Sequence, residues 1–460
     1  MHPTKVLQGV TMLAEDAQLP LGCTMSDLGH LVYGGCDLVD LAERYGTPLY
    51  VFNEALIRER CQAYRRAFRS YPGGADVAYA GKAVLTLALA RIMQQEGMFL
   101  DVVSGGELYV ALRAGFPAER VVLHGNNKSR SEIEAAVCHD VGRIVVDNFH
   151  ELELMQAAAA ARGRPQPVML RVAPGIEAHT HDYIRTGSQA SKFGFDLQSG
   201  QALEAIRAVS GTPWLTLLGL HAHIGSQILD VAWVVPLVEA VLDLTVAAQG
   251  MLRGPLTDLN LGGGAGIRYT DERALPPDDV AAALGDAVQH GCAARGLPLP
   301  RLVVEPGRSI VGEAGIALYR VGSQKRVPGL VPYVSVDGGM GDNIRPALYG
   351  AEYRILLANR VPPPGAPQEP VHVVGRYCES GDFLAREVPL PPLQAGDLLA
   401  VPSSGAYQYP MASNYNLVPR PCVVLVAGGE VHVMVERETY ADLVARDRIP
   451  PHLATPPIGL

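Results

Sequence analysis

The chain has 460 residues, of which 48% are hydrophobic and 18% are charged. This composition excludes an intrinsically disordered chain, and the length predicts two or three domains. The formal net charge of −9, from 38 Lys and Arg against 47 Asp and Glu, argues against binding along a nucleic-acid backbone or an anionic membrane.

The cysteines and the N-terminus indicate the compartment. Seven cysteines are scattered along the chain without a CxxC pair, which is typical of a reducing environment and argues against a disulfide framework or a structural zinc site. The first 20 residues carry Glu15 and Asp16 and lack an unbroken apolar run, so they do not resemble a signal peptide. The most apolar stretch, Val231–Met251, contains a proline and two acidic residues and predicts a buried amphipathic helix rather than a membrane span. We therefore expect a cytoplasmic protein.

The middle of the chain alternates between two kinds of segment. A predicted helix, Glu54–Arg69, precedes eight short apolar runs that we interpret as buried parallel strands: Val77–Ala80, Phe99–Val103, Val121–Leu123, Ile144–Val146, Val168–Val172, Leu215–His221, Leu259–Leu261 and Leu302–Val304. Segments with helical periodicity lie between them: Leu85–Glu96, Glu107–Ala114, Glu132–Val137, Glu151–Ala161, Gln201–Val209, Val231–Ala248 and Asp278–Ala294. This alternation predicts an α/β fold, a TIM (β/α)8 barrel.

After Glu305 the pattern changes to short β-like runs separated by turn residues. These runs are Ile316–Val321, Tyr333–Val336, Val371–Val374, Leu398–Val401, Cys422–Ala427 and Glu430–Met434. They predict a second, all-β domain at the C-terminus. Leu49–Phe52 is also strand-like and precedes the barrel. We therefore predict three parts: residues 1–52 as an N-terminal segment that joins the β domain, residues 53–310 as the barrel, and residues 311–460 as the β domain.

Polar or glycine-rich groups occur at seven of the eight predicted strand ends. They are Lys82; Asp101, Ser104 and Glu107; His124; Arg171; His221 and His223; Gly262–Gly264; and Glu305 with Arg308. Any one of them has an ordinary structural explanation, and Lys82 alone would be taken for a surface lysine. The functional residues of a TIM barrel lie at the C-terminal ends of its strands, so the set predicts one shared site.

Two motifs leave alternatives open. The glycines Gly262–Gly264 are compatible with a tight turn, but they also expose backbone N–H groups to a phosphate, to which Ser226 and Arg308 could add a hydroxyl and a guanidinium. His221 and His223 share one face of a strand and could bind zinc, as in barrel amidohydrolases. Those enzymes place the pair on the first strand, where this chain has Lys82, so we expect no metal. The spacing of His179 and His181 in a loop is equally ambiguous.

Together these groups favour a pyridoxal phosphate site. A lysine at the barrel mouth can form a Schiff base, and a glycine-rich cradle can hold a phosphate. A histidine can stack on the pyridine ring. Glu305 can pair with the ring nitrogen and keep it protonated, which strengthens the cofactor as an electron sink.

The motifs also resemble those of a known family, the fold-type III pyridoxal-phosphate-dependent decarboxylases. The resemblance covers nearly the whole chain and is carried by Tyr79–Ala83, Asp101–Leu108, His124–Lys128, Ser191–Phe195, His223–Gln227, Gly262–Gly264, Glu305–Arg308, Asn343–Tyr349, Cys378–Asp382 and Gly405–Tyr407. It implies an alanine racemase-like barrel with an all-β C-terminal domain and pyridoxal 5'-phosphate as cofactor.

The resemblance also implies roles for individual residues. Lys82 and Cys378 are the implied catalytic residues, with Lys82 forming the Schiff base and Cys378 donating a proton. The implied cofactor-binding residues are Lys82, Asp101, His223, Ser226, Gly262, Gly263, Gly264, Glu305, Gly307, Arg308 and Tyr407. The implied substrate-binding residues are Arg308, Arg345, Tyr349, Glu379 and Tyr407. In the family, the equivalents of Cys378 and Glu379 reach the site from the other subunit of a homodimer, so the resemblance implies shared sites.

Within the family the resemblance is strongest to the branch that decarboxylates meso-2,6-diaminopimelate to L-lysine and CO2, the last step of lysine biosynthesis. An arginine such as Arg345 suits the distal carboxylate of that substrate and Glu379 its distal ammonium. The alternative is a related decarboxylase acting on ornithine, arginine, carboxynorspermidine or a carrier-bound amino acid. Racemases of this fold place an arginine at the ring nitrogen, so Glu305 argues against racemisation. A catalytically inactive regulator is the third alternative, which the presence of Lys82 and Cys378 does not favour.

Overall fold

The structure is a computed structural model and describes residues 19–176, 191–363 and 365–453. Several predictions concern residues outside these ranges. They are the first 18 residues, including Glu15 and Asp16, the loop pair His179 and His181, and the last seven residues of the predicted β domain.

The elements follow the predicted order. The N-terminal part contains β1 (Cys23–Met25), β2 (Leu31–Tyr33), β3 (Cys36–Asp37), α1 (Leu38–Tyr45) and β4 (Leu49–Asn53). The barrel part contains α2 (Glu54–Ala67), β5 (Ala75–Ala80), α3 (Leu87–Gln95), β6 (Phe99–Val102), α4 (Gly105–Arg113), β7 (Val121–Leu123), α5 (Arg130–Cys138), β8 (Arg143–Val146), α6 (Phe149–Arg162), β9 (Gln166–Ala173), β10 (Phe195–Asp196), α7 (Gln201–Ser210), β11 (Leu215–His221), α8 (Val234–Ala248), β12 (Asp258–Asn260), α9 (Pro277–Arg295) and β13 (Arg301–Val304). The short helix α10 (Arg308–Val311) ends the barrel part. The C-terminal part contains β14 (Gly315–Lys325), β15 (Tyr333–Val336), α11 (Arg345–Tyr349), β16 (Leu356–Leu357), β17 (Glu369–Val374), β18 (Phe383–Leu390), β19 (Leu398–Val401), β20 (Cys422–Ala427), β21 (Glu430–Val435) and α12 (Tyr440–Val444).

Eight parallel strands close into the predicted barrel. Their order is β9-β11-β12-β13-β5-β6-β7-β8, and β8 pairs with β9 to complete the circle. Ala78, Val122, Val145 and Met169 form a separate buried cluster contributed by four of these strands. As in other barrels of this type, side chains fill the interior, so the cavity for chemistry lies at the mouth.

Most helices on the barrel begin at a polar cap directly after a strand or loop. The caps whose side-chain oxygens accept from the first turn are Asn53, Thr86, Ser104, Ser129 and Asn148. Such caps satisfy N–H groups that have no partner within the helix.

Helix α8 is the apolar segment noted in the sequence. Among the described residues, Val234–Met251 is the one helical stretch that length and composition would allow to cross a membrane. One face of α8 is buried, and Pro236 lies in its first turn, where a missing N–H costs nothing. This agrees with the predicted amphipathic helix.

A second sheet holds the C-terminal strands together with one strand that precedes the barrel. Strand β4 lies between β14, to which it is antiparallel, and β20, to which it is parallel. The sheet order is β18-β17-β15-β14-β4-β20-β21, with β19 paired to β14 and β16. We propose that residues 1–52 belong with residues 311–460 around the barrel of residues 53–310, and the pairing of β4 supports this division.

Strand β18 is absent from the sequence prediction. It is interrupted by Glu387, whose φ of 50° lies in the left-handed region, and its register to β17 shifts. Six of its eight residues are exposed or only partly buried, so no continuous apolar run marks it. The strand forms because β17 pairs with it.

Candidate active site

A cavity of about 430 Å³ opens at the mouth of the barrel. It is lined by residues from seven strand ends and from the β domain, among them Lys82, His124, Arg171, His221, His223, Ser226, Gly264, Glu305, Gly307, Arg308, Arg345, Tyr349 and Tyr407. The predicted convergence of strand-end residues is therefore observed, and residues of the β domain complete the wall.

The floor of the cavity is built around the carboxylate of Glu305. Asn260 Nδ2 donates to Oε1 at 2.6 Å, His124 Nε2 lies 2.8 Å from Oε1, and His221 Nε2 lies 3.3 Å from Oε2. Burial raises the pKa of Glu305, but the two histidines outweigh burial and hold that pKa well below its usual range. Burial lowers the pKa of His221 to about 4, so this ring is neutral at pH 7. Glu305 is therefore a preformed buried anion.

Lys82 and Asp101 form a second charged group beside this floor. Asp101 is buried, and neither of its carboxylate oxygens has a hydrogen-bond partner among the described residues. Burial raises the pKa of Asp101. Burial lowers the pKa of Lys82, but Asp101, Tyr407 and Glu305 outweigh it and raise that pKa overall. His124 Nε2 lies 3.7 Å from Asp101 Oδ1, beyond hydrogen-bond distance. A buried carboxylate without a hydrogen bond is costly, so Asp101 indicates a polar ligand at this point.

The glycines Gly262 and Gly263 position the ring of His223. The Gly263 N–H donates to His223 Nδ1 at 3.3 Å. A Cβ at position 262, where φ is +67°, would approach Nδ1 to 2.7 Å, so only glycine leaves room for the ring. Burial lowers the pKa of His223 well below its usual value, which keeps the imidazole neutral. A neutral flat ring at the cavity wall is suited to contact an aromatic ligand.

The far end of the cavity is suited to an anion. Arg308 Nη2 donates to Ser226 Oγ at 2.9 Å, while Arg308 Nε has no partner among the described residues. Gly264 has φ +123°, and a Cβ there would lie 2.7 Å from the Gly225 carbonyl oxygen. Gly307 packs equally closely, because a Cβ there would lie 2.9 Å from that of Ala80. Arginine, hydroxyl and exposed backbone together form a phosphate-sized cradle.

Arg345 enters the cavity from the β domain. It begins helix α11, and its Nη1 donates to the hydroxyls of Tyr269 at 2.8 Å and Tyr353 at 2.7 Å. Tyr349 lines the cavity one helical turn later. Tyr407 also comes from this domain, and its backbone N–H donates to the Ala83 carbonyl at 2.8 Å, next to Lys82. The β domain is thus fastened directly to the turn that carries the lysine.

Cys378 and Glu379 lie elsewhere. Both are exposed, and neither is among the described residues that line the cavity. The Cys378 N–H donates to Asn416 Oδ1 at 2.8 Å, and Tyr377 beside it is stacked on Tyr415. The structure therefore does not bring these two predicted residues to the cavity of their own chain.

Several cavity residues have no cofactor or substrate role predicted from the sequence. His124, His221 and Arg171 were noted at strand ends; the structure places His124 and His221 at the floor, and Arg171 lines the cavity. Asn260 was missed, although a polar residue inside the apolar run Leu259–Leu261 is a usable signal. Tyr269 carries no such signal, because it follows the glycine run in a loop.

The alternative zinc pair, His221 and His223, differs from the observed geometry. Among the described residues, the side chains whose ligand atoms converge within 4.8 Å are His124, His221 and Glu305, and His223 is not one of them. His223 instead receives the Gly263 N–H. The His221 and His223 spacing was therefore misleading, because the two rings serve different parts of the cavity.

These residues fit pyridoxal phosphate. Among the described residues, the buried oxygens of Asp101 and the Nε of Arg308 are polar atoms without a hydrogen-bond partner, and the glycine cradle packs too closely against its neighbours to accept a Cβ. A lysine, a buried anion and an anion cradle match the aldehyde, ring nitrogen and phosphate of this cofactor. The fold and the site together define a pyridoxal-phosphate-dependent decarboxylase of the barrel type, and residues 54–312 match the model of the pyridoxal-dependent decarboxylase pyridoxal-binding domain.

Similarity to known proteins identifies the family within this class of decarboxylases. The chain is 51% identical to the diaminopimelate decarboxylase of Bacillus subtilis, over 91% of this chain and 95% of that protein, and 48% identical to that of Bacillus methanolicus, over 90% and 96%. The crystal structure of diaminopimelate decarboxylase from M. jannaschii in complex with L-lysine is 36% identical with a TM-score of 0.88, covering 95% of this chain and 99% of that one. The chain belongs to the diaminopimelate decarboxylase family.

Proposed function

We propose that this protein catalyses the pyridoxal-phosphate-dependent decarboxylation of meso-2,6-diaminopimelate to L-lysine and CO2, as a carboxy-lyase of lysine biosynthesis. The observation that carries the proposal is the cavity itself, where Lys82, the Glu305 floor and Arg345 face one another. The substrate is an amino acid with a carboxylate at each end, and Arg308 and Arg345 are among the cationic side chains that line the cavity.

Pyridoxal 5'-phosphate, when bound, stabilises the negative charge that remains on the α-carbon after CO2 leaves. Lys82 provides the amine for its covalent attachment. Ser226, Gly264, Gly307 and Arg308 would hold its phosphate, assisted by the hydroxyl of Tyr407.

Glu305 keeps a proton on the ring nitrogen of the cofactor. Its low pKa supports this role, because an anion that stays ionised at the floor favours a cation opposite it. Neutral His221 and Asn260 orient the carboxylate without neutralising it. His223, Asp101 and the glycines Gly262 and Gly263 complete the cofactor site, with His223 against the ring.

Arg345 and Tyr349 would bind the distal end of the substrate. A guanidinium can pair with a carboxylate through two parallel hydrogen bonds, which a lysine cannot reproduce. Arg308 and Tyr407 lie beside them and would contact the substrate as well as the phosphate. Glu379 would accept from the distal ammonium.

Cys378 would donate the proton to the α-carbon. Because Cys378 and Glu379 are exposed on their own chain, we propose that they complete the cavity of a second copy in a homodimer. Their position away from their own cavity supports this arrangement. We further propose a cytoplasmic location, supported by seven free cysteines that form no disulfide.

The test is CO2 release by the purified protein with added pyridoxal phosphate. The substrates are meso-diaminopimelate, L,L-diaminopimelate, ornithine and arginine. We expect release from the meso isomer with stoichiometric L-lysine. Release from ornithine or arginine instead would overturn the role of Arg345, and an inert protein that still binds the cofactor at Lys82 would overturn the proposed reaction.

A further inference from the structure

Two of the three described arginines that line the cavity meet at one phenol. Arg345 Nη1 donates to the hydroxyl oxygen of Tyr269 at 2.8 Å, and Arg308 Nη1 donates to the same oxygen. Both arginines are buried, with exposed fractions of 7% and 6%, and Tyr269 is 6% exposed. A phenol oxygen accepts two hydrogen bonds at most, so both acceptor positions of Tyr269 are used by the two cations.

The ring of Tyr269 reinforces this contact. The guanidinium carbons lie 5.1 Å (Arg345) and 5.7 Å (Arg308) from its centroid, within the range of cation–π attraction. Two buried guanidiniums this close repel each other, and the phenol oxygen lies between them as a shared acceptor. Without the Tyr269 hydroxyl, Arg308 and Arg345 would each lose one hydrogen-bond acceptor for a buried N–H group.

Tyr269 is anchored to the barrel, whereas Arg345 comes from the β domain. The backbone N–H groups of Tyr269 and Thr270 donate to Glu272 Oε2 at 3.0 and 2.8 Å, which holds the loop after the glycine run. Arg308 also belongs to the barrel mouth, where it contacts Ser226. Tyr269 therefore links the anion cradle of one domain to the arginine of the other.

A neighbouring tyrosine provides a natural comparison. The hydroxyl of Tyr353 accepts from Arg345 Nη1 at 2.7 Å, and its ring meets that of Tyr269 edge-on at 5.2 Å. Among the described residues, Tyr353 is hydrogen-bonded to Arg345 and not to Arg308. Two buried tyrosines with similar chemistry thus differ in whether they also contact the arginine of the cradle.

We propose that Tyr269 is a positioning residue that aligns Arg308 with the cofactor phosphate and Arg345 with the distal carboxylate of the substrate at the same time. The inference rests on the proposed function, because it takes the roles of the two arginines from there. According to this proposal, Tyr269 couples the affinity for the cofactor to the affinity for the substrate.

The experiment compares Tyr269→Phe with Tyr353→Phe in the full-length holoenzyme. Three quantities are measured for each variant: the Kd of pyridoxal phosphate, the KM for meso-diaminopimelate, and kcat. We expect Tyr353→Phe to raise KM about fivefold and to leave the cofactor Kd unchanged. Tyr269→Phe is expected to raise both the cofactor Kd and KM by about tenfold, with kcat within about twofold of wild type.

The alternatives give different patterns. If Tyr269→Phe raises KM alone, as Tyr353→Phe does, the link to Arg308 is wrong. A fall in kcat and melting temperature without a change in either binding constant shows a merely structural role and also overturns the proposal. If Tyr269→Phe does not fold, Tyr269→Gln is measured in its place. It should show the same pair of losses, because the shorter side chain does not place its amide oxygen between the two guanidiniums. If wild type does not decarboxylate meso-diaminopimelate, the proposed function fails, while the cofactor Kd still tests the contact between Tyr269 and Arg308.

Discussion

The floor around Glu305 and the loop around Cys378 are built in opposite ways. Every partner of the Glu305 carboxylate comes from the same chain, and the group is buried. Cys378 and Glu379 stand exposed at the surface of the β domain. A buried anion is tolerated only when its partners are in place, so the floor must be complete in each folded chain. The exposed loop with Cys378 and Glu379 buries no such charge, so it does not need the cavity of its own chain, in agreement with its proposed role in a second copy.

Exposure of the loop does not mean that it lacks support. The carboxylate of Asp382 accepts from the backbone N–H of Tyr377 at 2.8 Å and of Met340 at 2.6 Å. A Cβ at Gly339 or Gly375 would collide with the same carboxylate. The loop is therefore held in a defined shape by its own chain, as the proposed sharing of the active site requires.

The largest effect is expected from the attachment lysine. Lys82→Ala should abolish CO2 release and the absorbance of the lysine-bound cofactor, because no other amine replaces it. Mixing Lys82→Ala chains with Cys378→Ala chains sharpens the comparison. In a dimer with shared sites, half of the dimers are mixed and each holds one intact site, so activity should return to about one quarter of wild type. Mixtures that stay inactive would show that each chain uses its own loop.

The next largest effect concerns the proton donor. Cys378→Ala should lower kcat about 10²- to 10³-fold while cofactor absorbance is unchanged, since general acids contribute that much. Cys138, another exposed cysteine, at the end of helix α5, provides the matched control. Cys138→Ala should retain full activity. Equal activity of the two variants would contradict the assignment of Cys378.

Substitution of Glu305 at the cavity floor should lower kcat slightly less than substitution of Cys378. Glu305→Gln removes the anion but keeps the size of the side chain, and we expect kcat to fall about 10²-fold, which is typical for the loss of one preorganised electrostatic partner. The unfolding midpoint should fall as well, because a pKa held below its usual range means that the folded chain favours the anion over a neutral group at this position. A variant with wild-type kcat would show that the charge of Glu305 is not used.

Substrate recognition gives a smaller and more selective effect. Arg345→Lys keeps the charge but loses the planar fork, so KM for meso-diaminopimelate should rise about tenfold with kcat nearly unchanged. Arg360→Lys, at an arginine paired with Asp397 away from the cavity, is the control. A selective fall in kcat for Arg345→Lys would place this residue in the chemical step instead.

The smallest effect is expected from Glu107, whose titration should make the free energy of unfolding depend on pH. Burial raises the pKa of Glu107 from 4.5 to about 7. Between these values the folded chain retains a proton that the unfolded chain loses, so this group makes stability fall as pH rises from about 4.5 to about 7. Glu107→Gln should flatten that fall in urea unfolding measured across this range. Exposed Glu134 is the control, and Glu134→Gln should leave the pH profile as it is in wild type.

Much of the fold is written in local patterns. The eight apolar runs and the helices between them reappear as β5 to β13 and α3 to α9, apart from the two-residue strand β10, because buried parallel strands and amphipathic helices have distinct periodicities. The position of β4 between β14 and β20 was predicted only as membership of the β domain. Its neighbours follow from pairing across more than 260 residues, which no local pattern records.

For the site, the sequence alone determined the chemistry, and only the tertiary structure decided the partners. Lysine, glycines, Glu305 and Arg308 at strand ends indicated a pyridoxal phosphate cavity, because the barrel topology brings strand ends together. That His124, His221 and Asn260 converge on Glu305, and that Tyr269 joins Arg308 to Arg345, depends on distances of a few ångströms between residues far apart in the chain. Residue type and spacing specify which groups are available, but hydrogen bonds between domains arise only once the packed chain sets those distances.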